Sequence, residues 1–490
     1  MRAIGLITCA ATVLAAAVQA QTYCVVDTGQ ERCYGDRHEL AYPMPGAAFY
    51  GQDAHYTGKT PAYRDNADGT VSDLNTGLMW TQDPGEKKTF KRAMAEAAAC
   101  RIGGHDDWRL PTIKELYSLM IFSGTDPNPD SRESNELTPF IDANCFKFQY
   151  GREDRGERII DSQFATCSLY GSTTMGGNRT MFGVNFADGR IKGYPAERTG
   201  RGPAKYYALY VRGNPQYGTN RFIDNGDGTV SDEATGLIWQ KADSARGMNW
   251  NDALVYAEQL ELAGHDDWRL PNAKELQSIV NYSRSPDATG SAAIDPIFQC
   301  SAITNEAGQI DFAFYWTSTT HVRAGGDGAR AVYVAFGRAM GNMHGHWMDV
   351  HGAGAQRSDP KAGESSRYSQ GRGPQGDAIR ILNYVRCVRG GAATPRASGP
   401  ALEDRAVGFP ENSATRREAP TFGGSGLRGE RPQGGGHGFV QRLDKDGDGR
   451  VSREEFDGPQ SHFPALDKDH DGYLTEAEAP PPPPARRSLR

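Results

Sequence analysis

The sequence predicts an α+β protein: two tandem copies of a mostly antiparallel, sheet-rich module with two helices each, followed by a small all-α tail. Three observations predict this organisation. A long segment of the chain is repeated, turn-forming residues separate short apolar runs, and two acidic twelve-residue loops lie near the carboxyl end.

Composition limits the class of protein. The chain has 490 residues, a net charge of −7, 59 glycines and 28 prolines, and 38% of its residues are hydrophobic. So many turn formers exclude a helical bundle or a coiled coil. The acidic balance provides no basic field for nucleic acid, and we therefore expect no nucleic-acid partner.

Residues 1–20 have the pattern of a signal peptide. Arg2 precedes an alanine-rich apolar run, which ends with the small residues of Val18-Gln19-Ala20. The alternative, a membrane anchor, needs a longer apolar stretch. We therefore expect a secreted or periplasmic protein with no membrane span, and the choice between periplasm and exterior stays open.

Export would favour disulfide bonds. Seven cysteines follow the signal peptide. The candidate pairs are Cys24 with Cys33 in an N-terminal segment at 21–59, Cys145 with Cys167, and Cys300 with Cys387. Cys100 is expected to be a buried free thiol, because the second copy has Leu260 at the same helix position.

An internal duplication defines two modules, the first copy at 60–214 and the second copy at 215–390. They share a DNxDGTVSD hairpin, GLxW, the identical octapeptide GHDDWRLP, and KEL. These motifs begin at Asp65, Gly77, Gly104 and Lys114 in the first copy and at Asp224, Gly236, Gly264 and Lys274 in the second. A repeat this long indicates two domains rather than a solenoid of short units.

Each copy has the same predicted elements in the same order. The Asn-Gly-Asp-Gly turn before Val230 predicts a hairpin. Apolar residues at helical spacing predict a first helix from Trp250 in the second copy and from Phe90 in the first. Pro111 and Pro271 suit the first turn of a second helix. Strands are then expected at 313–318, 331–336 and 379–388.

These motifs, with the closing VRG at Val211 and Val388, resemble the Lcl C-terminal domain family. The resemblance implies a C-type-lectin-like fold and an extracellular, adhesin-like binding role, in some members toward sulfated glycans. It does not imply catalysis, and the chain shows no GxSxG, HExxH or phosphate-loop motif. An enzyme on a fold like that of formylglycine-generating enzymes is the less favoured alternative.

Several conspicuous residues of the copies have two interpretations. The aspartates of the two hairpins could cradle a cation, or they could satisfy the turn backbone, which we favour. The run from His344 to His351 could hold a metal or be solvated. Trp108 and Trp268 are expected in the core, with Arg109 and Arg269 bracing a loop or a carboxylate.

Arginines are concentrated in the second copy. They could meet a polyanion such as an acidic polysaccharide, or they could be scattered surface charges, which we slightly favour. The arginines are Arg323, Arg330, Arg338, Arg357, Arg367, Arg372, Arg380, Arg386 and Arg389.

The tail carries the most specific motif. After a flexible linker at 391–436, residues 437–480 contain two loops that resemble an EF-hand pair, and a Pro/Arg stretch follows at 481–490. The implied Ca²⁺ ligands are Asp444, Asp446, Asp448, Arg450, Ser452, Glu455, Asp467, Asp469, Asp471, Tyr473, Thr475 and Glu478. The alternative is an acidic, disordered tail.

The loop positions explain these roles. Carboxylates alternate because calcium takes six to eight oxygen ligands, and Arg450 and Tyr473 would contribute main-chain carbonyls. Val451 and Leu474 are expected to join the loops by a short β bridge. We expect the tail to be loose without calcium and ordered with it, with an affinity of about 0.1–1 mM.

The sequence thus predicts an exported, non-enzymatic calcium-binding protein whose duplicated modules bind a polysaccharide or a surface protein. The alternative is a calcium-dependent structural or interaction protein with no glycan ligand. The oligomeric state stays open.

Overall fold

A computed structural model describes residues 22–129, 131, 137–199, 202–396, 443, 450–453, 455–456, 463–468 and 472–475. The chain divides into two units between Arg405 and Ala406. The predicted signal peptide 1–20, the linker beyond residue 396 and the Pro/Arg stretch 481–490 lie outside the described residues. Within the described ranges, no helix has the length and apolar character needed to cross a membrane.

Short strands and few helices build the first unit. The N-terminal segment and first copy contain β1 Cys33–Tyr34, β2 Glu39–Leu40, β3 Tyr56–Thr57, β4 Tyr63–Asp65, β5 Thr70–Asp73, β6 Leu78–Thr81, α1 Phe90–Ala99, α2 Ile113–Tyr117, β7 Gln163–Thr174, β8 Asn178–Asn185, β9 Arg190–Pro195, β10 Arg198–Thr199, β11 Gly202–Pro203 and β12 Val211–Gly213.

The second copy repeats the main elements in this order, adds two hairpins and has no counterpart of the β10–β11 hairpin. It also has a third short helix, so the predicted two helices per module hold only for the first copy. The second copy contains β13 Phe222–Asp224, β14 Thr229–Asp232, β15 Leu237–Gln240, α3 Trp250–Glu258, α4 Ala273–Ser278, α5 Pro286–Thr289, β16 Ala302–Thr304, β17 Ile310–Phe312, β18 Phe314–Thr320, β19 Arg330–Ala335, β20 Met340–Met343, β21 His346–Asp349, β22 Gln356–Pro360 and β23 Val388–Gly390, and β24 Thr394–Pro395 follows it. The predicted α+β class, with mostly antiparallel sheet, is confirmed.

Each copy has its own four-stranded antiparallel sheet. The strand order is β12-β6-β5-β4 in the first copy and β23-β15-β14-β13 in the second. The predicted hairpins are present, with Asp65 opposite Val71 and Asp224 opposite Val230. The predicted strand 379–388 is an irregular segment that ends at β23, because its main chain bonds to separate elements, for example Tyr384 N to Phe314 O over 2.8 Å.

The two copies share a third sheet. Its order is β18-β19-β22-β9-β8-β7, so each copy contributes three strands, and β22 meets β9 at Gln356 and Ile191. The predicted modules 60–214 and 215–390 are therefore repeats within one compact unit, not separate bodies. The physical reason is that β9 and β22 would each be an open sheet edge in an isolated module.

Capping side chains start the short helices. The Thr112 and Asn272 side chains accept from the main-chain N–H groups of Glu115 and Glu275, which complete capping boxes. Pro111 and Pro271 thus precede the cap and lie two positions before the first helical residue, whereas the sequence predicted them in the first turn.

Two lysines join the copies reciprocally. Lys114 Nζ donates to Ser278 O over 2.6 Å, and Lys274 Nζ donates to Ser118 O over 2.9 Å. Each ammonium therefore reaches the carboxyl-terminal end of the other copy's helix, where a positive charge is favoured.

None of the three predicted disulfides is present, because the seven cysteines of the described residues are all free thiols. Cys24 Sγ donates to Asn75 O over 3.3 Å, and Cys33 Sγ lies 3.9 Å from His55 Nδ1. The other two pairs are split between hydrophobic clusters. Cys145 and Cys300 pack against one cluster, whereas Cys167 and Cys387 belong to two others.

The second unit is small. Its described elements are β25 Val451–Ser452, α6 Phe463–Leu466 and β26 Tyr473–Leu474. The tail predicted as all-α therefore also contains a β pairing.

Candidate functional site

The two loops of the tail meet through the predicted β bridge. Val451 lies opposite Leu474, and Ser452 lies opposite Tyr473. Both apolar residues are fully buried in a cluster with Leu443, Phe456 and Phe463. This pairing holds the two loops side by side, as the sequence predicted.

The described loop residues suit a cation. Gly472, with φ of +86°, donates its N–H to Asp467 Oδ2 over 3.1 Å. Among the residues that the structure describes, the other carboxylate oxygen, Asp467 Oδ1, is buried and has no hydrogen-bond partner. A buried carboxylate oxygen without a donor is what a bound calcium ion would satisfy. Asp444, Asp446, Asp448, Asp469, Asp471 and Glu478 lie outside the described residues.

The remaining ligand candidates are consistent with this role. Glu455 Oε2 accepts from Ser452 N over 2.9 Å and from Ser452 Oγ over 2.7 Å. The Arg450 guanidinium lies 5.7 Å from the centre of the Tyr473 ring. These two side chains therefore contact each other, which fits loop positions that would offer only their carbonyls.

The shared octapeptide and KEL motif stabilise the fold. Arg269 donates to both oxygens of Glu275 over 2.6 Å, and Arg109 pairs in the same way with Glu115. The buried Trp108 and Trp268 donate to Ile102 O and Leu262 O. The predicted core and bracing roles are confirmed.

The hairpin aspartates satisfy turns. Asp65 accepts from Ala67 N, and Asp68 accepts from Thr70 N and Thr70 Oγ1. The second copy repeats this pattern at Asp224 and Asp227. Across the described ranges, no three His, Cys, Asp or Glu side chains cluster as metal ligands.

The histidine run is divided among different environments. His344 and Gly345, both with positive φ, form the turn between β20 and β21, and His344 and His346 are exposed. His351 is buried, and its Nε2 lies 2.7 Å from Asp377 Oδ1. These histidines therefore do not face one common ion.

A basic pocket of about 150 Å³ opens where the two copies share the sheet. Among the described residues, seven cationic side chains line it together with the carboxylates of Asp126, Asp188 and Asp377. Two further carboxylates outside the lining, Asp161 and Asp327, pair with Arg158 and Arg323. The cations are Arg158, Arg190 and Lys192 from the first copy and Arg323, Arg330, Arg357 and Arg372 from the second. Four of the nine second-copy arginines considered as a polyanion site therefore line one pocket.

Of the other five arginines of that set, Arg367 is exposed, and the remaining four form contacts elsewhere. Arg338 pairs with Asp287, Arg380 with Glu306, and Arg389 with Asp267. Arg386 donates to main-chain carbonyls, including Gln240 O over 2.8 Å. These four side chains form ion pairs or main-chain hydrogen bonds within the fold, away from the basic pocket.

Titratable groups beside the basic pocket have lowered pKa values, with burial as the largest cause and nearby guanidiniums as a further one. Burial, and then Arg190, lowers the pKa of His321 to about 3. Burial, and then Arg357, lowers the pKa of His351 to about 4. Burial also lowers the pKa of Arg330 to about 10, and Arg372 contributes to that shift. Burial, together with the neighbouring guanidiniums, therefore keeps His321 and His351 neutral beside the pocket.

This environment predicts acid sensitivity. A folded pKa near 3 against the usual 6.5 means that only the unfolded state protonates His321 as the pH falls below 7. Stability is therefore lost on acidification, by about 2 kcal/mol between pH 7 and pH 5 for this group. Urea unfolding at both pH values should show that His321→Phe, whose ring would face Phe122 and Phe140, reduces this difference by that amount. An unchanged difference would contradict the assignment.

An aromatic groove of about 530 Å³ adjoins the basic pocket, and Ile379 lines both. Trp347, Tyr368 and Tyr384 lie along it with Glu306 and Arg380. Such a lining offers ring faces beside a few polar groups.

Comparison with models of protein families identifies the repeated segment. The model described as the Lcl C-terminal domain matches residues 69–212 and 228–351, which together are more than half of the chain. The chain belongs to the Lcl C-terminal domain family. An EF-hand model matches residues 441–457, which contain the first calcium loop. No curated protein and no solved structure matched the chain.

The structure extends the second Lcl C-terminal domain beyond its match. That match ends at residue 351, whereas β22 and β23 complete the copy as β9 and β12 complete the first. Two Lcl C-terminal domains with an EF-hand indicate a calcium-binding protein with repeated domains.

Sequence reasoning missed the first copy's contribution to the basic pocket. Arg190 and Lys192 alternate on β9 and thus face one side of the sheet. That alternation was visible in the sequence, but the partner strand β22 was not. The Lcl C-terminal domains form this pocket only as a pair.

Proposed function

We propose that this is an exported calcium-binding protein whose two Lcl C-terminal domains together bind an acidic polysaccharide. The observation that carries the proposal is the basic pocket, where, among the described residues, seven cations stand against five carboxylates that line the pocket or pair with its arginines. A concave site with a net positive charge concentrates ligands of the opposite sign.

The aromatic groove supports a sugar ligand. Trp347 and Tyr384 offer ring faces on which the apolar faces of sugar rings can pack. Because the groove and the basic pocket share Ile379, one chain of sugars could place its rings in the groove and an acidic group in the pocket.

The signal-peptide pattern at 1–20 supports a secreted or periplasmic location. We assign an adhesin-like binding role and a C-type-lectin-like fold on the family resemblance. A binding role without catalysis fits the two guanidinium–carboxylate pairs of the shared motifs, since both are engaged in bracing helices.

The test is binding of dextran sulfate to the full chain, with neutral dextran as the ligand control. Arg323→Gln combined with Arg372→Gln should weaken binding by about tenfold, because these charges lie at the accessible side of the pocket. Arg246→Gln, at an exposed site outside the pocket, is the matched control and should bind like the parent.

Equal binding by the double variant and the parent would overturn the pocket assignment. If the parent does not bind dextran sulfate but still binds calcium in calorimetry, the result would instead favour a calcium-dependent structural or interaction protein without a glycan ligand.

A further inference from the structure

A second cleft, of about 660 Å³, lies between the two copies on the α1 side of the first copy. Met94, Arg109 and Ser168 line it from the first copy, and Asn281, Tyr282 and Asp295 line it from the second. It shares no lining residue with the basic pocket. The internal repeat allows this cleft to be compared with its counterpart in the second copy.

Equivalent hydrogen bonds place the two copies in register. Cys167 N donates to Pro111 O over 2.8 Å, and Ser318 N donates to Pro271 O over the same distance. One residue later, Ser168 Oγ accepts from Ile113 N, and Thr319 Oγ1 accepts from Ala273 N. Ser168 is therefore the counterpart of Thr319.

In the second copy, the counterpart of the cleft is filled by the chain's own N-terminal segment. Thr319 Oγ1 donates to the Asp53 carboxylate over 2.5 Å. The Tyr56 ring lies 5.3 Å from the Arg269 guanidinium. Thr28 O accepts from Phe122 N over 2.7 Å. The counterpart of the cleft in the second copy is thus occupied by a carboxylate, that of Asp53, and by an aromatic ring three residues later, that of Tyr56.

The same recognition groups line the open cleft without these partners. Ser168 Oγ has no acceptor for its proton, and Tyr282 N, the counterpart of Phe122 N, has no acceptor in the described part of the chain. The Arg109 side chain is 37% exposed against 5% for Arg269.

An apolar side chain is exposed beside them. Met94 on α1 is 43% exposed, whereas Leu254 at the same position of α3 is fully buried. The open cleft therefore retains a donor for a carboxylate, a guanidinium face for a ring and an uncovered apolar residue.

The connection between the copies explains why the cleft stays open. Lys114 Nζ donates to Gly218 O much as Lys274 Nζ donates to Asp27 O, so both connecting segments begin alike. After Asp27, the N-terminal segment runs through the counterpart of the cleft in the second copy before it reaches β4. After Gly218, the chain enters β13 within four residues. It is too short to fill the cleft.

We propose that this cleft binds a short segment of a partner protein, with an acidic residue followed three positions later by an aromatic residue. The acidic side chain accepts from Ser168 Oγ, and the aromatic ring covers the Arg109 guanidinium. This inference is independent of the polysaccharide proposal, because the two sites share no residue.

The probe is a fluorescent peptide with the sequence of residues 50–58, which contains Asp53 and Tyr56. Its fluorescence anisotropy is measured with the full chain. Binding should be saturable, and Asp53→Asn in the peptide should weaken it by about tenfold, since a hydrogen bond to a charged group contributes that much.

Two variants of the protein locate the site. Ser168→Ala removes the donor, and Met94→Glu places a negative charge at an exposed position beside it; each should weaken binding by about tenfold. Val255→Glu is the matched control, because Val255 is 38% exposed on α3 and lies outside the cleft. Its affinity should equal that of the parent.

Met94→Glu keeps the test decisive if Ser168→Ala fails to fold. Absence of saturable binding, or equal binding by the parent and Met94→Glu, would overturn the proposal. A dimer in sedimentation that Met94→Glu abolishes would also overturn it, because the occupant would then be a second copy of this chain.

Discussion

Replacing Arg269 by leucine is expected to lower the free energy of unfolding by about 3–5 kcal/mol, because it leaves the Glu275 carboxylate buried without its cation. Arg269 and Glu275 are each 5% exposed, and Tyr56 covers the guanidinium. Urea unfolding of the full chain measures the loss.

The internal repeat supplies a matched comparison. Arg109→Leu breaks the equivalent pair with Glu115, but Arg109 faces the open cleft. The Glu115 side chain is only 2% exposed, but in the variant water from the cleft can enter the space that the guanidinium leaves. Glu115 also keeps bonds from Thr112 N and Thr112 Oγ1. We expect a smaller loss, of about 1–2 kcal/mol. Equal losses in the two variants would contradict the role given to the N-terminal cover.

Local patterns predicted the local elements. The hairpin at Asp224 and the helix from Trp250 depend on turn chemistry and apolar spacing within a few residues. The bracing role of Arg269 was also predictable, because its carboxylate lies only six residues away. Where a contact is close along the chain, the sequence contains enough to place it.

Long-range pairing was not predictable in the same way. The pairing of Ile191 with Gln356 joins two strands that are far apart in sequence. The alternation of polar and apolar residues along each strand does not tell which residues of the two strands lie opposite each other. The basic pocket depends on that pairing, so its first-copy cations were missed. The cysteine pairs failed for the same reason, since spacing along the chain does not place two thiols in one cluster.

The calcium loops allow a prediction about the glutamate carboxylates at the twelfth position of each loop. Glu455→Gln combined with Glu478→Gln should abolish the heat of calcium binding that we expect in calorimetry of the full chain at up to about 1 mM metal, because each change removes a charged, two-oxygen ligand. The accompanying gain of helical circular dichroism should disappear as well, if folding of the tail is coupled to the metal.

Arg450→Ala is the control for this variant. Position seven of the loop serves through its carbonyl, and the Arg450 side chain instead contacts the Tyr473 ring. Calcium affinity should therefore stay within about threefold of the parent, since only one exposed cation–π contact is lost. If the glutamine variants titrate like the parent, the buried Asp467 Oδ1 has another explanation, and the second unit is not a calcium site.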